Sequence, residues 1–176
     1  MRASMCVNQS LSNQGGPDMR DEKVSTELAF LLGSFRGNDL IHASAWSDAM
    51  TATAVSEGST SLGGTVVTMT LDETRPDGSR FQVLNVFCRD PADGSVLLYA
   101  FDSLSYPPDP PARGAWLGHS LVLERTTPRG RGRTTFEATP DGFSWSKAFQ
   151  APDGDWWQPV VQGRLTRLSP VTTAAA

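Results

Sequence analysis

The stretch "RFQVLNVFCRDPADGSVLLYAF", Arg80–Phe101, decides the fold. It opens on an alternation. Phe81, Val83, Asn85 and Phe87 fall on one face; Gln82, Leu84, Val86 and Cys88 fall on the other. Side chains along a β-strand point to opposite faces in turn, so a period of two marks a strand. "DPADGS" then punctuates the chain, and "SVLLYAF" resumes as a second strand. Proline presets the first turn position, Asp bonds its own backbone, and Gly supplies a positive φ. The stretch therefore predicts a β-hairpin.

The same punctuation returns on either side, as "RPDGS" (75–79), "TPDGF" (139–143) and "APDGD" (151–155). Each copy separates strand-like segments, so each predicts a hairpin. The flanking sequences differ, which makes this recurrent turn chemistry and not an internal repeat. The strands run roughly over 34–42, 51–57, 64–73, 80–89, 95–103, 113–118, 120–127, 132–138, 143–150 and 156–168. Alternation shows again in "FSWSKAF", where Phe143, Trp145, Lys147 and Phe149 share a face. One short helix precedes the strands: "STELAFLLG" offers Ser25 as N-cap, Leu28, Leu31 and Leu32 as its apolar side, and Gly33 as the stop. Residues 1–22 and 169–176 are polar or small without a period and read as disordered tails around one domain over 23–168. A long meander leaves two unpaired edges, and closing on itself removes them. The expected fold is thus all-β: an antiparallel up-and-down barrel of about ten strands, with a short N-terminal helix capping one end and room for a ligand inside.

Composition narrows the function classes. The chain has 176 residues and a net charge of −4, which argues against a general nucleic-acid binder. No apolar run approaches membrane-spanning length, and the start lacks the continuous apolar segment of a signal peptide. The two cysteines, Cys6 and Cys88, form no disulfide framework, so the cytoplasm is the expected compartment. Expected partners are a small-molecule ligand and, at most, a second copy in a homodimer. No nucleic acid, membrane, metal or other cofactor is expected.

Several longer pieces are similar to a known pattern. "GSFRG" (33–37) is similar to the Gly-x-Trp opening of lipocalin-like barrels, with Phe35 in the Trp place. "GRLTR" (163–167) offers Arg167 or Arg164 to lie across that ring. With "HASAW", "YAFDS", "GAWLG", "RTTPRGRGRTTF" and "DGDWW", the chain from about Leu31 to Leu168 resembles the bacterial family called domain of unknown function 1579. The resemblance implies a lipocalin-like, or calycin-like, barrel and implies no agreed activity, so function rests on sites.

Three residues stand out for chemistry. Asp102 ends a strand where "SYPPDPP" (105–111) begins, and proline cannot continue a central ladder. Its carboxylate serves either as an acid or base at a barrel mouth or as a turn cap. His42 lies in "HASAW", and a histidine in a pocket is the obvious general base; His119, in "GHS", reads as an exposed turn. Lys147 shares a strand face with aromatics. Pointing inward, it would be desolvated and become a base or an imine-forming amine; pointing outward or snorkelling to the rim, it is a solvated charge. Glu57, Glu73, Glu124 and Glu137 are further strand carboxylates, and alternation brings Glu137 beside Arg133 as a candidate pair. Trp46, Phe101, Tyr106, Trp116, Arg133, Trp145 and Trp157 are the candidate ligand contacts, since a binding barrel needs an aromatic lining and a few polar anchors.

These residues suggest a cofactor-independent enzyme doing acid–base work on an aromatic or hydrophobic intermediate of secondary metabolism. Cyclisation, isomerisation and amine–carbonyl condensation are the reaction types that fit. The alternative is a non-catalytic carrier or sensor of a hydrophobic ligand such as a lipid or haem. Inward carboxylate, His or Lys side chains favour the enzyme; an all-apolar cavity favours the carrier.

Overall fold

The computed structural model describes residues 24–44 and 47–168. The two tails read from the sequence lie outside the described residues, as does Trp46. A short helix α1 (Val24–Glu27) and a 3-10 turn (Ala29–Leu31) lead into ten strands. These are β1 (Gly33–Ile41), β2 (Met50–Ser61), β3 (Val66–Thr74), β4 (Arg80–Arg89), β5 (Val96–Asp102), β6 (Ala112–Leu117), β7 (Ser120–Thr127), β8 (Gly130–Thr139), β9 (Gly142–Gln150) and β10 (Gln158–Arg167). Each strand pairs antiparallel with the next, and β10 pairs with β1, so the sheet closes into a barrel. The expected all-β barrel is the observed one.

All four Asp-Gly punctuations join hairpin partners. The predicted positive φ is found at Gly78 (81°) and Gly94 (75°) only. Gly142 instead lies within β9, where a side chain would collide with the backbone carbonyl of Leu165 on β10. Gly154 keeps a negative-side φ as well. The glycine at these two turns therefore does not set the hairpin. The strand expected over 64–73 begins later, because Leu62, Gly63 and Gly64 all take positive φ in a 3-10 turn.

One end of the barrel is plugged. Ser25 lies inside α1, not before it, so it is no N-cap. At four residues α1 is too short to persist alone. Val24, Leu28 and Leu31, spaced four and three apart, bury one side into the barrel and hold it there. Each such burial contributes on the order of 2 kcal/mol. Glu27 receives the Arg89 guanidinium, and Trp116 Nε1 donates to Glu27 Oε2 at 3.4 Å. Inside this end, Phe35 meets Phe143 edge-on at 4.9 Å, and Phe87 meets Phe136 at 5.5 Å. Arg167, not Arg164, closes the barrel: its guanidinium lies 4.6 Å over the Phe35 ring and donates to the Leu32 carbonyl. Arg164 pairs with Asp141 outside.

Candidate functional site

The opposite end is open. β5 and β6 pair only from Val96–Leu98 to Ala112–Gly114, so the upper half of β5 leaves its neighbour. Proline supplies no ladder donor, and the 103–111 segment crosses the gap as a lip of four prolines. Below the lip lies a cavity of about 490 Å³. That volume is within the range of sites that hold small organic molecules. Met69, Leu71, Phe81, Val83, Leu98 and Phe136 form its apolar wall; His42, Glu73, Arg75, Asp102, Arg125 and Lys147 enter it as charged or titratable groups.

A carboxyl pair sits in the wall. On β1, the alternation that buries Phe35 also turns Asp39 inward, and Asp39 is 0% exposed. On β3, Val67, Met69 and Leu71 face in, and Glu73 follows at the same period, 4% exposed. The two carboxyls come within hydrogen-bonding reach of each other. Trp145 Nε1 donates to Asp39 Oδ1 at 3.0 Å, while Asp39 Oδ2 has no N–H donor among the described residues. Gly163 makes the indole bond geometrically allowed, since a side chain there would occupy the space of both Asp39 Oδ1 and Trp145 Nε1. Burial raises the Glu73 carboxyl to about 7, and the Asp39 charge adds to the effect. Burial also raises Asp39, against the hydrogen bonds from Trp145 and Glu73. Two carboxyls this close cannot both ionise cheaply, so the pair holds a proton near neutral pH.

Lys147 lies on the inner face of β9, opposite Thr134 on β8 and Val161 on β10. It is half-buried, and its accessible surface is cavity wall. Burial pushes its ammonium below the usual lysine range; Arg125 adds to this, and Asp102, Asp109 and Glu73 oppose it. Arg125 is held by Asp109 at 3.0 Å, which also takes Arg129 at 2.9 Å. Two further nitrogens in this cavity, Arg75 Nε and His42 Nε2, are buried without a hydrogen-bond partner among the described residues.

The structure brings Asp102, His42, Lys147, Tyr106 and Trp145 to the one cavity. Asp102 also does the turn work: its Oδ1 accepts from Leu104 N at 3.0 Å. Four expected ligand contacts lie elsewhere. Phe101 is on the outer face, 43% exposed, because the inward parity of β5 falls on Leu98, Ala100 and Asp102. Trp116 packs edge-on to Phe30 at the plugged end. Arg133 and Trp157 form an outer cluster: the guanidinium lies 4.1 Å over the indole and is bound to Glu124 at 2.6 Å. Glu137 takes Ser120 instead of Arg133, since it stands opposite Ser120 across the β7–β8 ladder. His119 is exposed in the turn between β6 and β7. The sequence reading missed Asp39, Arg75 and Arg125. Asp39 had a signal: it continues the period of Phe35 and Gly37 toward Ile41, but "GND" reads locally as a turn.

No family model and no curated protein matches the chain. Among solved structures, Rv2717c from M. tuberculosis superposes with a TM-score of 0.62 at 16% identity, covering 82% of this chain and 97% of that one. The S-type phycobiliprotein lyase CPES from Guillardia theta superposes with a TM-score of 0.57 at 11% identity, covering 86% and 96%. The fold is a calycin-like barrel. Identities this low carry the fold and nothing finer. Among the described residues, no helix is long and apolar enough to cross a membrane.

Proposed function

We propose that this protein binds a small, partly aromatic molecule at the open end of the barrel and moves protons on it. Glu73 acts as general acid and base, Asp39 and Trp145 position it, and Lys147 is a second, amine base. One observation carries the reading: a carboxyl raised to about 7 faces the same cavity as a desolvated lysine. A proton-transfer group works best when its pKa lies near the working pH. Cyclisation, isomerisation and amine–carbonyl condensation can all use such a pair, and an aromatic-lined cavity preorganises a flexible substrate for them. The carrier reading calls for an apolar interior, and the titratable groups in the wall favour chemistry over carriage. Membership of the family called domain of unknown function 1579 remains part of this reading, on the motifs from "GSFRG" to "QGRLTR".

The test uses 5-nitrobenzisoxazole, whose ring opens when a base removes one carbon-bound proton. The wild-type protein should accelerate opening over buffer, with the rate rising through a midpoint near the Glu73 value of about 7. Glu73→Gln should lose about a hundredfold of that acceleration. A wild-type rate equal to that of Glu73→Gln at every pH would contradict the reading.

A further inference from the structure

We propose that Lys147 forms an imine with a carbonyl compound that carries a carboxylate. This rests on the acid–base reading above and names the substrate class for the same cavity. The geometry supplies each part. Lys147 stands on the inner wall, and Arg125, Asp102, Asp109 and Glu73 face it from β7, β5, the proline lip and β3. Arg75 Nε and His42 Nε2 line the same space with no hydrogen-bond partner among the described residues. A buried guanidinium N–H without an acceptor is costly, and a carboxylate oxygen is its strongest complement. Arg75 also lies 5.8 Å over the Phe81 ring, which orients the guanidinium beside the apolar wall.

The chemistry balances with these groups. The neutral Lys147 Nζ donates its lone pair to the carbonyl carbon, and the carbonyl π pair moves onto oxygen. A proton passes from nitrogen to that oxygen, giving a neutral carbinolamine. Glu73 then gives its proton to the hydroxyl, water leaves, and the nitrogen lone pair forms the C=N bond. The products are a cationic iminium at Lys147, one water, and a carboxylate at Glu73. Lowering of the amine pKa by burial increases the neutral, nucleophilic fraction.

The composition makes the test clean, because Lys23 and Lys147 are the only lysines. The full chain is treated with 4-formylbenzoate and sodium borohydride, which reduces an iminium to a stable amine, and adducts are mapped by peptide mass spectrometry. Lys147 should carry roughly tenfold more adduct than Lys23, because a desolvated amine is held more as the free, nucleophilic base. Lys147→Met should remove only that adduct, and Glu73→Gln should slow its formation by about a hundredfold. Arg75→Gln should reduce labelling by 4-formylbenzoate more than labelling by benzaldehyde. Equal labelling of Lys147 and Lys23 in the wild-type protein overturns the imine, whether or not any variant folds. Equal labelling by the two aldehydes overturns the carboxylate preference. If the imine fails while 5-nitrobenzisoxazole still opens through Glu73, only this inference falls; if both fail, the acid–base reading falls with it.

Discussion

The two ends of the barrel are built from the same strands and by the same alternation, yet they do opposite things. β9 enters the plugged end with Phe143, crosses the middle with Trp145 and reaches the mouth with Lys147. β3 runs from Val67 through Met69 and Leu71 to Glu73. β1 runs from Phe35 to Asp39. At the plugged end the inward steps add mostly apolar area and interlocking rings, with Ser56 opposite Phe35 as a buried polar exception. At the mouth the same inward step adds a titratable group, and the missing β5–β6 pairing leaves room beside it. Period two thus dictates only which residues face in. Chemistry depends on how far along the strand an inward polar residue falls.

The largest effect should come from the plugged end. Phe35→Ala removes a fully buried ring that touches Phe143 and lies under Arg167. It should cost about 3–5 kcal/mol in urea unfolding. A cost below about 1 kcal/mol would break the division into a stabilising end and a chemical end.

A substitution at the mouth should have the opposite sign. The Glu73 carboxyl rises from 4.5 to about 7 on folding. Between those values the native state binds more protons than the unfolded chain, so wild-type stability falls as pH rises through that window. Glu73→Gln removes the titration. Relative to wild type it should gain on the order of 2–3 kcal/mol at pH 8, and the gain should shrink toward zero near pH 4.5. Urea midpoints at both pH values check this. A pH-independent difference would mean the carboxyl titrates normally.

The smallest effect belongs to the outer wall. Arg133→Ala breaks the Glu124 pair and uncovers Trp157, both partly solvated. It should cost below about 1 kcal/mol and leave binding of an aromatic aldehyde unchanged. Lost binding would mean that the functional surface lies outside the barrel.

Most of the fold was legible in the sequence because period two and Asp-Gly turns act locally. Ten strands and their hairpins needed no tertiary information beyond ring closure; the arginine over Phe35 was expected only from the resemblance to lipocalin-like barrels, which left Arg167 and Arg164 both open. The site was half legible. His42 and Lys147 were named because rare residue types stand out, and Asp102 because it ends a strand at the proline run, but inward parity could not be read for β5 or β8. A shift of one residue exchanges the faces, so Phe101 and Arg133 were expected on the wrong side. The Asp39–Glu73 pair was invisible for a different reason. Its members lie 34 residues apart on strands that do not pair with each other, and they meet because β2 pairs with both, setting Asp39 opposite Ala52 and Glu73 opposite Ala54.

The central claim is that the open end holds a carboxyl proton near neutral pH. Selective carbon-13 labelling of the six glutamate side-chain carboxyls, followed by NMR titration, tests it most directly. The account predicts one resonance with a midpoint at about 7 that disappears in Glu73→Gln. Six midpoints near the ordinary value of 4.5 would contradict it.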